Sequence, residues 1–500
     1  MNLLERALTR LDDALNPIVV KELRQAVQGK FITGILILFL FFQIGTLGFS
    51  LIDRAAASNF ELGRETFTVL MMFVLLAGTL AVPIYSGYRF ATERSDLDSD
   101  LLFITTITPA AIIRGKFQAA MAIVLLFYAV SLPYMTITYF FRGIDLLSIF
   151  WVVVFSLSGV VLNLSICLFI ACLPLNFPLR VMIGLCALIP LFWVFGGSVA
   201  MVSEFLRMGI GARVLSWAFW RDLFPSVLLF GFGLGLLYVL SVAAIAPAPT
   251  NRAYGIRRFV SAFWALSLLG MTFYAANGGG SQALGGWIIF ATLVFSAFLP
   301  VAVSERTWCG RRVARTIPGD ALGRRLAFLF YSGAAGGLIW ALTFMVLTHV
   351  VPVFALPVIG ATNFGSSFEH DREGVIILAL YTLGYSLLGA LVRRLFLADR
   401  VPVASTWFLA LLLAGLGGAV PPILGFILFG SDREEWLLGN PLLALQSTAW
   451  RESCLLFAAG FAGVLLLVNL PWMKSQWEQF RPYGDEEPPP DGEDAPALPV

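Results

Sequence analysis

Three stretches of this 500-residue chain group charged and polar side chains at spacings that could do chemical or mechanical work. The first is Asn16-Pro17-Ile18-Val19-Val20-Lys21-Glu22-Leu23-Arg24-Gln25-Ala26-Val27. Asn16 can cap a helix, and Pro17 suits the first helical position. Val19, Leu23 and Val27 then share one face, while Lys21, Glu22, Arg24, Gln25 and Gln28 cover the other. That spacing predicts an amphipathic helix lying on a membrane surface, either an anchor for the first span or a lever that also touches a partner. The second stretch is the loop 89–116. Ser95-Asp96-Leu97-Asp98 reads as a capping box, Leu97, Leu101 and Leu102 supply an apolar face, and Thr108-Pro109 opens a further helix through Ile112 and Ile113 to Lys116. Two short stiff helices can transmit force, which a slack loop cannot. The third is 204–224, in which Glu204, Arg207, Arg213, Arg221 and Asp222 alternate with Phe205, Leu206, Val214, Trp217 and Trp220 around Gly209-Ile210-Gly211. It reads either as an interfacial aromatic girdle or as a re-entrant helix pair shaping an outer gate. Its counterpart late in the chain is 431–452, with Trp436, Asn440-Pro441 and Trp450.

Catalytic and metal chemistry finds little footing. The chain has two histidines, His349 and His370, and five cysteines, of which Cys167, Cys172, Cys186 and Cys454 fall in or beside apolar runs and Cys309 in a basic loop. No pair has zinc-site spacing, so the cysteines read as small apolar packers. The patterns G-x-x-x-x-G-K-[ST], H-E-x-x-H and G-x-S-x-G are absent. Runs 117–140 and 181–203 hold no Asp, Glu, Lys, Arg or His, which disfavours a proton-coupled secondary transporter. Glu369, His370, Asp371, Arg372 and Glu373 form one outer cluster that a lipid-modifying membrane enzyme could use, although a solvated loop explains it more simply. A membrane scaffold is a further alternative. The basic residues are scattered at span ends, so no nucleic-acid patch is present.

The elements that position these stretches follow from composition. The chain is 59% apolar and 13% charged, with a mean hydropathy of +0.85. A soluble domain carries about 25% charged residues. A bilayer core needs about 20 apolar residues per helix. Twelve runs qualify: 31–52, 66–88, 117–140, 146–172, 180–203, 226–247, 258–276, 286–303, 327–351, 375–392, 403–429 and 454–472. They are long and continuous, so the expected fold is an all-α polytopic membrane protein rather than a β-barrel. With the N-terminus inside, 24 of the 33 basic residues fall on the inner side, which predicts a multi-pass membrane protein with both termini cytoplasmic. Six acids between Asp485 and Asp494 conceal a basic body: without them the formal charge rises from +2 to +8. The expected organisation is a cytoplasmic entry helix in 1–30, a six-span half over 31–247, a link at 248–257, a second half over 258–472 and an acidic, proline-rich disordered tail over 473–500.

An internal repeat is expected as well. Thr92-Glu93-Arg94-Ser95 follows the second run and Ser304-Glu305-Arg306-Thr307 follows the eighth, with Glu93 and Glu305 separated by 212 residues. Pro109 and Pro318, 209 residues apart, then precede Arg114-Gly115-Lys116-Phe117 and Arg324-Arg325-Leu326-Ala327-Phe328. Equal topological position is the mark of a parallel transporter repeat.

The run Asn16 to Gln25, and the loop Glu93-Arg94, Leu97, Leu101-Leu102, Thr105, Thr108-Pro109, Ile112, Gly115-Lys116, resemble the permeases of the bacterial type-2 ATP-binding-cassette exporter family. The likeness is fuller in the first half than in the second, where the entry segment shortens to Asn251–Arg258 and the loop lacks the leucines. It implies a permease with no catalytic site of its own and no bound cofactor. ATP and magnesium would be handled by separate cytoplasmic ATPase subunits. Glu93, Arg94, Asp96, Asp98, Leu101, Pro109 and Lys116 would be coupling contacts, with Asn16, Pro17, Lys21, Glu22 and Arg24 in the entry helix. Glu305, Arg306 and Pro318 would be their second-half counterparts, and Trp217, Trp220 and Arg221 would belong to the outer re-entrant segment. Twelve spans would make a fused pseudo-dimer in membrane lipid, with room for a second permease or a periplasmic partner.

Overall fold

The computed structural model describes residues 16–56, 61–95, 108–141, 143–175, 177–247, 250–306, 310–430, 436, 438–442 and 450–483. Among them there is no strand, and twelve helices are long and apolar enough to cross a membrane. The protein is an all-α polytopic membrane protein. Helices prevail because hydrocarbon offers no partner to the backbone, and a helix satisfies its own N–H and C=O groups. The chain divides into two compact units, Met1–Pro247 and Ala248–Val500, each with six spanning helices.

In the first unit, α1 (Pro17–Gln28) precedes α2 (Lys30–Ala56). The second span is α3 (Leu62–Leu75), a π-helical turn at Leu76–Ala81, and α4 (Val82–Ser95). Then come α5 (Pro109–Thr138), α6 (Leu146–Cys172), α7 (Phe177–Met208), the short α8 (Ile210–Arg213) and α9 (Trp217–Ile245). The widened turn has an identifiable cause. Pro83 has no N–H to offer the Thr79 carbonyl four residues earlier. Asn163 Nδ2, fully buried on α6, donates to that carbonyl at 2.8 Å and to Leu191 O of α7 at 3.1 Å. One side-chain amide therefore ties three spans at mid-depth. Phe67, Leu70, Met71, Val74, Phe127 and Leu164 fill the surrounding core.

The second unit opens with α10 (Arg252–Tyr274), a kink at Ala275–Gly279 where Asn277 and Gly278 leave helical geometry, and α11 (Ser281–Ala302). Two short helices, α12 (Arg311–Ala314) and α13 (Ala321–Phe330), lead to α14 (Ala334–Val350), α15 (Ser366–Phe396), α16 (Thr406–Phe429) and α17 (Arg451–Gln479). Its core is built on indoles. Trp340 packs on Phe295 at 5.3 Å, and Trp264, Trp287 and Trp340 donate to Thr348, Ser267 and Ser261, each at 2.9 Å.

Several sequence expectations are corrected. The segment 109–116 is not a separate loop helix: it is the first two turns of the 30-residue α5. The link 248–257 is largely helical, because Arg252 already starts α10 and the second-unit entry segment is continuous with its span. The run 327–351 is broken at Tyr331-Ser332-Gly333, so 321–330 stands apart from α14. Residues 204–208 end α7 and 217–224 begin α9, so Trp217, Trp220 and Arg221 lie on the first turns of the sixth span rather than in a re-entrant pair. The double proline at 421–422 does not break α16.

Candidate functional site

The entry helix is seated on the third span. Asn16 Oδ1 accepts from the Ile18 amide at 3.1 Å, and its Nδ2 donates to Ala111 O in the first turn of α5 at 2.7 Å. One side chain thereby caps α1 and fastens it to α5. Gly115 makes the close approach possible, since a Cβ there would stand 2.8 Å from Asn16 Nδ2 and 2.9 Å from the Ile18 Cβ. The buried face of α1 keeps Val19 and Leu23 of the expected Val19–Leu23–Val27 stripe but not Val27. Ile18, Val19 and Ala26 are buried, Glu22 turns with them, and Val27 is 76% exposed.

Glu22 turns inward to meet charge. Lys116 Nζ lies 2.7 Å from Glu22 Oε1 and 2.7 Å from Glu93 Oε2. It also sits over the Phe90 ring at 4.6 Å. Arg89 Nη2 is 3.7 Å from Glu93 Oε1 and bonds the Gln25 side chain, while Nη1 donates to Tyr85 Oη at 3.2 Å. Two cations and two carboxylates thus join α1, α4 and α5 at one end of the bundle. A cavity of about 20 Å³ lies among Glu22, Tyr85, Ser86, Arg89 and Lys116, enough for one water molecule.

A second cluster occupies the matching place in the other unit. Asn251 caps α10 by accepting from the Tyr254 amide at 3.3 Å, and it accepts from both the amide and the hydroxyl of Ser332 at 3.0 Å. Six residues on, as Glu22 follows Asn16, Arg257 meets a carboxylate: its Nη2 is 2.6 Å from Glu305 Oε2. Nη1 donates to Leu329 O at 2.9 Å and Tyr331 O at 2.6 Å, and Nη2 to Gly333 O at 3.3 Å. The Gly333 amide donates to Glu305 Oε2 at 2.7 Å. Burial pushes the Glu305 carboxyl up, and Arg257 with the Gly333 amide works against that rise. The end of α17 closes over the neighbouring short helices. Arg324 Nε donates to Phe480 O at 2.7 Å, the Tyr483 amide to Ala314 O at 3.2 Å, and Phe328 packs on Trp477 at 5.1 Å.

The structure therefore brings Asn16, Glu22, Glu93 and Lys116 together, and places Glu305 in its own cluster. Pro17 and Pro109 are the first residues of α1 and α5. Lys21 and Arg24 are exposed on the outer face of α1 and Arg306 is exposed beside Glu305, while Pro318 lies between α12 and α13. The side chain of Arg94, and residues Asp96, Asp98 and Leu101, lie outside the described residues, as does the rest of 96–107. Trp220 donates to Val214 O at 2.8 Å and stacks edge-on against Trp151, and Arg221 pairs with Asp222 at 2.9 Å. Sequence reasoning missed Arg89 and Arg257 as members of the clusters, and placed Gln25 only on the polar face of α1. The equal six-residue spacing from Asn16 to Glu22 and from Asn251 to Arg257 was the available signal for Arg257. Among the described residues no group of histidine, cysteine, aspartate or glutamate could hold a metal ion.

Comparison with protein-family models, curated proteins and solved structures finds nothing that matches this chain.

Proposed function

We propose that this chain is the permease subunit of an ATP-driven bacterial exporter, energised by a separate cytoplasmic ATPase that bears on α1 and the stretch 89–116, which includes the end of α4 and the start of α5. The observation that carries the reading is the Glu22–Lys116–Glu93 cluster. A surface helix with exposed Lys21, Arg24 and Val27 is clamped by buried charge to the ends of two spans. A push on α1 is thereby delivered to α4 and α5 together, which is what an energy-coupling element requires. The chain itself carries no nucleotide-binding motif, so the ATP and magnesium chemistry belongs to the partner. The paired Asn16/Asn251 caps and Glu93/Glu305 carboxylates support two related halves forming a fused pseudo-dimer. The bias of basic residues supports a cytoplasmic position for the clusters and both termini, at an inner membrane.

The test is gentle solubilisation of native membranes and capture of the full chain. An ATP-binding subunit is expected to co-purify from the unmodified chain and to be lost with Glu93→Ala or Leu101→Asp. A chain that emerges free of any ATPase, under conditions that preserve other such complexes, would falsify the permease reading.

A further inference from the structure

Arg180 stands in the first turn of α7, at the end of the bundle that carries Glu93, and is only 7% exposed. Its Nη1 donates to Ala91 O of α4 at 2.9 Å and its Nη2 to Leu175 O at 2.7 Å. Both acceptors are neutral. Among the described residues no carboxylate pairs with Arg180, and its Nε is buried without a hydrogen-bond partner. Lys116 and Arg257, buried to a similar degree, both face carboxylates. A buried guanidinium without a counter-charge is costly, and proteins pair such groups. Among the described residues nothing supplies the counter-charge, which leaves the guanidinium open to an anionic ligand.

The surroundings say what kind. Arg180 lines a cavity of about 240 Å³ between α4, α6 and α7, whose other walls include Ile84, Gly87, Cys167 and Leu188. Exposed Tyr88 and Leu185 also line it. Ala91 and Arg180 lie within two residues of the ends of their spans, Leu62–Glu93 and Pro178–Met208. The guanidinium is therefore at headgroup depth and the apolar cavity at acyl depth. We propose that this cavity binds one anionic phospholipid of the adjoining leaflet, an acyl chain in the cavity and the phosphate as the missing counter-charge of Arg180. A guanidinium matches phosphate oxygens in geometry as well as charge. A zwitterionic lipid brings its own cation and leaves the imbalance in place. The site does not depend on the export reading and survives its failure.

The test uses the full chain in detergent micelles, titrated with phosphatidylglycerol or with phosphatidylcholine of identical acyl chains, and counts retained lipid by native mass spectrometry. One phosphatidylglycerol is expected to be held, preferred over phosphatidylcholine by about ten-fold, the usual worth of a charge-assisted bond. Arg180→Gln is expected to erase the preference. Gly184→Leu keeps Arg180 and fills the cavity from its wall; a Cβ at Gly184 meets nothing within 4 Å, so the helix accepts it. This variant is expected to lower retention of both lipids, and it decides the matter if Arg180→Gln does not fold. Equal retention of the two lipids by the unmodified chain overturns the proposal, as does phosphatidylglycerol retention that survives the substitutions.

Discussion

The two ionic clusters hold corresponding parts by different means. In the first unit α1 is a separate piece, joined to α2 through Gly29 in an extended conformation. Side-chain charge holds it: one lysine bridges two carboxylates from different helices, Arg89 completes the balance, and space for one water remains. In the second unit the entry segment is fused to its span, and Arg257 bonds three backbone carbonyls besides Glu305. The end of α17 then covers the adjoining helices. A charge-held joint can be opened by a competing charge without unfolding any loop. A cation built into the backbone cannot let go without freeing the end of α13 and the break at 331–333. The first unit is the jointed one and the second the braced one.

That contrast can be broken most forcefully at the cations. Lys116→Met strands Glu22 and Glu93 side by side and is expected to lower stability by about 3–5 kcal/mol, seen as a fall in the melting temperature of the purified chain. Adding Glu22→Gln is expected to restore much of the loss. In the second unit Glu305→Gln is expected to rescue Arg257→Met poorly, because the three carbonyls stay unbonded; equal rescue in both units would erase the distinction.

A smaller effect comes from the close-approach glycines. A Cβ at Gly337 would collide with Arg257 Nη2 and approach Ala302 Cβ to 2.8 Å, whereas one at Gly115 meets the separate helix α1, which can shift. Gly337→Ala should therefore cost the upper part, and Gly115→Ala the lower part, of the roughly 1–3 kcal/mol typical of overpacking. Gly34→Ala, with open space around it, is the control. At the caps, Asn16→Ala is expected to cost about 1 kcal/mol. Asn251→Ala should cost more, since it leaves three donors without their acceptor; hydrogen exchange at the Ser332 amide would report it directly. Smallest of all, Lys21→Ala and Arg24→Ala should leave stability within about 0.5 kcal/mol, as exposed substitutions do. Under the export reading they should still weaken ATPase capture, and a loss of melting temperature instead would show that the outer face of α1 is packed.

The all-α class, the twelve spans and the caps at Asn16 and Thr108 were legible in the sequence, because long apolar runs and cap chemistry are local properties. The carboxylates Glu93 and Glu305 were marked by the repeated Glu-Arg pair after the second and eighth runs, and Lys116 by the family resemblance. Their partners were not marked. Nothing local tells Glu22 to turn toward the protein; its inward turn is set by Lys116, 94 residues further on, whose buried charge has to be neutralised. The break at 331–333 was likewise invisible in an apolar run, since it exists to present carbonyls and an amide to Arg257 and Glu305. The uncompensated Arg180 read simply as a basic residue at a span end. Sequence determined which segments enter the membrane, because that depends on the transfer of each segment from water. Only the tertiary structure decided which charges meet, because pairing in a medium of low dielectric joins residues that the chain keeps far apart.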